Sequence, residues 1–181
     1  MIDLPDLDDA EQARLGASVP ELAPIGYVRS ARDLPSDTPI QSRRNPTEEA
    51  CLVVFPHFAE GLDGLAGFDY AWVLSWLDRA PQAPGGELRV VPFLLRDRGE
   101  RVGVFATRFP HRPNPVGLSL VRILGVEGNM VRFSGVDLCN GTPVLDIKPW
   151  ERNFDVPPDH EQARGGWYER ASEASRDQVL P

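Results

Sequence analysis

The chain is poor in cysteine, methionine and lysine, and it has no long hydrophobic run. Its 181 residues include two cysteines, two methionines and one lysine, Lys148. Cys51 and Cys139 have neither a CxxC partner nor a histidine at zinc-site spacing. No structural zinc site is therefore expected, and the two thiols read as buried core residues of a protein kept in a reducing compartment. No segment approaches the ~18 apolar residues of a membrane-spanning helix. The opening MIDLPDLDDAEQ is acidic and lacks the basic-then-apolar order of an export signal, so a cytoplasmic location is expected. Several catalytic signatures are also missing: no GxGxxG follows a strand, and there is no GxxxxGKS loop, GxSxG elbow or HExxH helix. Doubly wound nucleotide-binding folds, α/β-hydrolases and zincins thus lose support. His57, His111 and His160 lie on three separate segments, so no metal site is assigned.

Turn formers are plentiful, with 18 prolines and 16 glycines. Such frequent punctuation argues for short strands rather than long helices. At 41% hydrophobic the chain can build one core without disulfides or metals. Strands are predicted at 23–30, 51–55, 70–77, 88–95, 101–105, 116–126, 130–135 and 143–147. A helical turn is predicted within 58–68, and an amphipathic helix over 167–178. Glu127-Gly128-Asn129 makes 116–135 the best hairpin. The polar, proline-rich stretch 31–50 reads as a long loop, which in a small domain is often functional. Strands at this spacing suggest a β-barrel or sandwich.

Charge is distributed unevenly. Residues 1–24 hold six acids and one base, and residues 151–181 hold seven acids and four bases. The net charge of −8 therefore belongs to the two ends, which read as solvated, while the middle is neutral. Arg96, Arg98, Arg101, Arg108 and Arg112 cluster inside that middle. Arginine forms planar bidentate bonds with carboxylate or phosphate and stacks on bases.

Two segments carry the chemistry. In Gly103–Ser119, GVFATRFPHRPNPVGLS, three prolines alternate with Arg108, His111, Arg112 and Asn114. Each proline fixes its own φ and restricts the residue before it, so the loop is stiff and loses little entropy on binding a ligand. In Asp137–Trp150, DLCNGTPVLDIKPW, an Asn-Gly turn leads into a strand. Asp146 and Lys148 fall on one face of that strand and can pair. Asp137 stands just before the turn and can cap it or bind a ligand.

These two segments are similar to the paired signatures of the TsaA-like, or TrmO, family, and the resemblance covers residues 24–155. It implies a mainly β fold, a small closed barrel with short helices, flanked by an acidic extension (1–23) and a C-terminal extension (156–181). It further implies a homodimeric methyltransferase that binds S-adenosylmethionine near the subunit boundary. The family's acceptor is N6-threonylcarbamoyladenosine at tRNA position 37. By resemblance the cofactor contacts fall on Ser42, Arg43, Arg44, Asp78, Arg79, Arg108, Leu118, Ser134, Gly135, Val136 and Asp137. Chemistry supports part of this assignment: a carboxylate such as Asp137 suits a sulfonium or amino group, and Arg108 suits a carboxylate. His111, Arg112, Asn114 and Lys148 would face phosphate or the base, which could stack on Tyr70 or Trp150. Asp137 and Asp146 are the candidates for a general base, although none is required. The chain departs from the family at Pro39–Arg43 (PIQSR for PRQPG), at Asp78-Arg79 (for His-Gln), at Asn140 and at Trp150. Two further readings stay open: the same barrel with a small-molecule or other RNA acceptor, and a binding module without turnover.

Overall fold

Apolar–polar alternation sets the strands. Gly26–Arg29 (β1), Glu49–Val54 (β2) and Tyr70–Trp76 (β3) bury every second side chain, as a strand with one solvated face should. Arg89–Val90 (β4) and Val102–Gly103 (β5) form a separate two-stranded ladder. Val116–Glu127 (β6), Met130–Ser134 (β7) and Pro143–Pro149 (β8) follow. The computed structural model describes residues 8–10, 14, 21–80 and 87–171.

Six strands close into an antiparallel barrel in the order β1-β2-β7-β6-β3-β8, with β8 returning to β1. Closure leaves the barrel itself without a sheet edge. Val28, Leu52, Val54, Val73, Val121, Phe133 and Val144 fill the interior, each at most 2% exposed. The β6–β7 hairpin turns on Gly128, whose φ of 59° suits the first central position of a tight hairpin turn. The side-chain amide of Asn129 then donates to the Val54 carbonyl at 2.6 Å and ties the turn to β2.

Several expectations need correction. The strands expected over 88–95 and 101–105 shrink to two residues each. After Pro92 the chain winds as a 3₁₀ turn, Phe93–Arg98, that closes at Gly99 with φ 58°. A continued strand would point Leu94 and Leu95 to opposite faces, yet both are buried in one cluster with Trp167 and Ala171. The segment expected as a helix from 167 is a 3₁₀ turn, Gly166–Arg170, and residues 172–178 lie outside the described residues. Trp167 is only 9% exposed, so this part of the C-terminal extension is packed rather than solvated. Cys139 is buried, but Cys51 is half-buried; both are free. Among the described residues no helix is long and apolar enough to cross a membrane.

Gly26 marks the tightest packing in the barrel. A Cβ there would lie 2.2 Å from the Val53 carbonyl oxygen, which is backbone and cannot swing aside. Gly26→Ala is expected to destabilise the fold by at least about 1–3 kcal/mol, the usual overpacking range, measured as a lowered urea midpoint. An unchanged midpoint would show that β1 and β2 can part without cost.

Candidate functional site

At one end of the barrel a cleft of roughly 880 Å³ opens between four segments. Its floor is the start of β6 (Gly117, Leu118, Ser119) with Asp137 and Leu138. One side is the loop before β2, from Pro35 to Arg44. The proline-rich segment Thr107–Asn114 forms the second side. The wall facing the barrel is Pro92–Arg96 with Trp167 and Tyr168. The indole N–H of Trp167 donates to the Ala106 carbonyl at 2.7 Å, so the C-terminal segment holds the base of the proline-rich loop.

Asp137 is the most perturbed group in the cleft. Its Oδ2 accepts the Ser42 backbone N–H at 2.8 Å. Its Oδ1 is shut off from solvent and has no hydrogen-bond partner among the described residues. Burial pushes the carboxyl up to about 6, against the smaller pull of the Ser119 hydroxyl, the Ser42 N–H and the Arg108 cation. An orphaned carboxylate oxygen beneath a large cleft is a place for a cation or a donor.

The cleft is otherwise cationic. Arg44, Arg79, Arg96, Arg108 and Arg112 line it, against Asp78 and Asp137. None of the five makes an ion pair among the described residues. Arg79 donates to the carbonyls of Asp33 (2.6 Å) and Asn140 (2.9 Å), and so clamps the early loop to the Asn-Gly turn. Arg108 reaches Gln41 at 3.3 Å. Arg112 donates to the Thr107 carbonyl at 3.1 Å and lies over the Phe105 ring. His111 packs edge-on against Phe109, centroids 4.9 Å apart.

The family described as tRNA-methyltransferase O, N-terminal domain, matches residues 27–156. The chain belongs to the tRNA-methyltransferase O family. It is 42% identical to a probable S-adenosyl-L-methionine-binding protein of Pyrococcus abyssi, over 81% of this chain and 75% of that protein. It is 36% identical to the tRNA (adenine(37)-N6)-methyltransferase of Rattus norvegicus, over 87% of this chain but 38% of that one. The crystal structure of TrmO from Pseudomonas aeruginosa superposes with a TM-score of 0.65 at 35% identity, covering 83% of this chain and 63% of that one. The chain thus spans less than two thirds of the solved TrmO chain, and well under half of the rat enzyme.

Not all the residues expected at the site meet in this cleft. Arg44, Asp78, Arg79, Arg108, Leu118, Asp137, His111, Arg112 and Asn114 do. Ser42, Ser134, Gly135 and Val136 are buried behind the floor, and Arg43, on the same turn as Arg44, is exposed and does not line the cleft. Ser42 still serves the site through its N–H to Asp137. Asp146 and Lys148 pair at 2.7 Å away from the cleft, and Asp146 borders a smaller hollow instead. Tyr70 and Trp150 do meet edge-on, at 6.2 Å, with Arg122 over Tyr70, but on the outside of the barrel. Phe93, Phe105, Trp167 and Tyr168 line the cleft and were not singled out from sequence. Only the basic cluster beginning at Arg96 hinted at that wall.

The buried carboxyl has a stability signature. Its pKa lies above the unfolded value, so the folded state binds the extra proton between about pH 4 and 6. Stability contributed by the protonated form is then lost as pH rises through that window, by up to about 3 kcal/mol. Asp137→Asn keeps an acceptor for Ser42 and removes the titration. The variant is expected to melt several degrees above wild type at pH 8 and close to it at pH 4. A melting difference that stays flat between pH 4 and 8 would contradict the assignment.

Proposed function

We propose that the protein is an S-adenosylmethionine-dependent methyltransferase that modifies tRNA adenosine 37 at N6, with N6-threonylcarbamoyladenosine as the acceptor. The observation that carries this reading is the charge of the cleft, five arginines against two carboxylates with no ion pair among the described residues to neutralise them. The cofactor has one carboxylate and two cationic centres, so it adds positive charge rather than removing it. Such a cleft calls for a polyanionic acceptor, and the RNA backbone is one. A neutral small molecule would leave the arginines uncompensated.

The residues present fit the cofactor. Asp137, with its orphaned oxygen, suits the sulfonium or ammonium end. Arg108, steadied by Gln41, suits the methionine carboxylate. Leu118, 46% exposed, gives apolar surface for the adenine ring. When bound, S-adenosylmethionine supplies a methyl group on a positively charged sulfur. The chain's own task is then positioning, because displacement at carbon needs an in-line approach. The stiff 107–114 loop sets the directions of His111, Arg112 and Asn114 toward the acceptor. The attacking nitrogen loses its proton late, and water suffices to take it. Asp137 is therefore assigned to binding, and Asp146, held by Lys148, to the scaffold.

The same reading makes the active species a cytoplasmic homodimer with the cleft near the subunit boundary. Phe105, 73% exposed at the cleft, fits such a boundary, and specific activity should then fall on dilution. The similarity to relatives named only as S-adenosyl-L-methionine-binding proteins favours the alternative of binding without turnover. Release of S-adenosylhomocysteine in the presence of tRNA separates the two readings.

Titration calorimetry with S-adenosylmethionine is the first test, with micromolar binding expected for the wild type. Arg108→Ala should weaken it by about 1.5–3 kcal/mol, as expected for a lost charge-assisted bond. Arg112→Ala should leave cofactor binding intact and impair methyl transfer to tRNA. Absence of binding by the folded wild-type protein would overturn the reading.

A further inference from the structure

The wall opposite the barrel plays no part in the steps above. Its centre is Phe93, the first residue of the 3₁₀ turn 93–98, and two guanidinium groups lie over its ring. Arg44 stands 5.9 Å and Arg96 5.1 Å from the centroid. The two arginines come from distant segments, and all three side chains line the cleft. Among the described residues neither guanidinium makes a side-chain hydrogen bond or an ion pair, whereas Arg79, Arg108 and Arg112 each donate to a named oxygen. Arg44 and Arg96 therefore keep all their N–H donors for a ligand.

Contact with an aromatic face orients a guanidinium without using its donors. Two like charges over one ring repel each other, so the arrangement favours an anion that neutralises both. The wall is fixed from behind: Leu94 and Leu95 pack on Trp167, which is bonded to Ala106. A pre-set pair of forks loses little freedom on binding.

We propose that Arg44 and Arg96, oriented by Phe93, grip the phosphodiester backbone of the acceptor RNA. This rests on the RNA reading above. It also moves Arg44 from the cofactor, whose single carboxylate Arg108 takes, to the acceptor. Arginine rather than lysine suits the task because the planar fork matches phosphate oxygens two at a time.

The test measures binding of a synthetic anticodon stem–loop RNA to the full chain across a salt series, beside cofactor titrations of the same proteins. Arg44→Ala and Arg96→Ala should each weaken RNA binding several-fold to about tenfold at physiological salt, and each should lower the slope of log affinity against log salt by about 1. Arg96→Lys should keep the slope and lose part of the affinity. Phe93→Leu should lower affinity with the slope retained. Cofactor affinity should stay at the wild-type value in all four. The proposal falls if the alanine variants keep the wild-type slope while wild type binds RNA, and the RNA reading then survives. It also falls if cofactor affinity drops in parallel, which would return Arg44 and Arg96 to the cofactor. If wild type binds no RNA at any salt, both readings fall together.

Discussion

The hydrogen bond from the Ser42 N–H to Asp137 holds the cleft together. It joins a loop that has almost no regular structure to a residue three positions past the end of β7, on the cleft floor. Other bonds reinforce the loop on either side. Arg32 grips Glu48 through two nitrogens, at 2.9 and 2.5 Å, and this contact holds the Glu48 carboxyl below its ordinary range. The side-chain amide of Asn45 donates to Glu48 at 2.6 Å and to the Val136 carbonyl at 3.0 Å. Thr38 meets the Cys139 sulfur at 3.2 Å. A chain that would otherwise wander is thereby pinned along its length, and Gln41 and Arg44 are presented to the cleft. The same bond leaves one Asp137 oxygen unpaired, so the anchor of the loop is also the group with most to gain from a ligand.

Unsatisfied polar atoms gather at this end of the barrel. The second buried side-chain atom without a partner among the described residues is the Ser75 hydroxyl on β3. It faces Gly117, where a Cβ would come within 2.4 Å of it. Glycine at 117 thus lets the floor of the cleft approach the barrel interior, with a hydroxyl where the core would otherwise be apolar. Elsewhere the barrel interior is aliphatic and aromatic. A fold that satisfies its rules in the core and breaks them at one mouth is spending stability on binding.

How much could be read from the sequence depended on whether a segment's structure is set locally. The β6–β7 hairpin follows from Gly128 and alternating apolar residues, and it lies where that pattern puts it. β3 follows from aromatic and β-branched residues at period two. The proline-rich signature followed from local stiffness, and it does line the cleft. The opposite wall was illegible because nothing local requires it. Leu94 and Leu95 look like strand residues until Trp167, over 70 positions away, draws both into one cluster. Phe93 and Trp167 look like ordinary core candidates in a string of letters. Only the fold shows that the first carries two arginines and the second holds the proline-rich loop. Asp146, Lys148 and Trp150 show the reverse case. They sit within a chemically suggestive motif, but β8 carries them along the barrel away from the cleft.

Net charge misleads for a related reason. The chain carries −8 overall, yet that excess belongs to its ends, and the cleft collects five arginines. Screening limits the reach of an exposed charge to about 8 Å at physiological salt, so a bound anion responds to the groups it touches rather than to the total. Arginines that touch an anion within a concave site act together, while distant acids contribute only a weak general repulsion. An acidic chain and a basic cleft are therefore compatible. On the proposed function, the five arginines of the cleft supply the contacts to RNA whatever the total charge of the chain. A uniformly basic protein would gain affinity for every phosphate chain and lose selectivity among them.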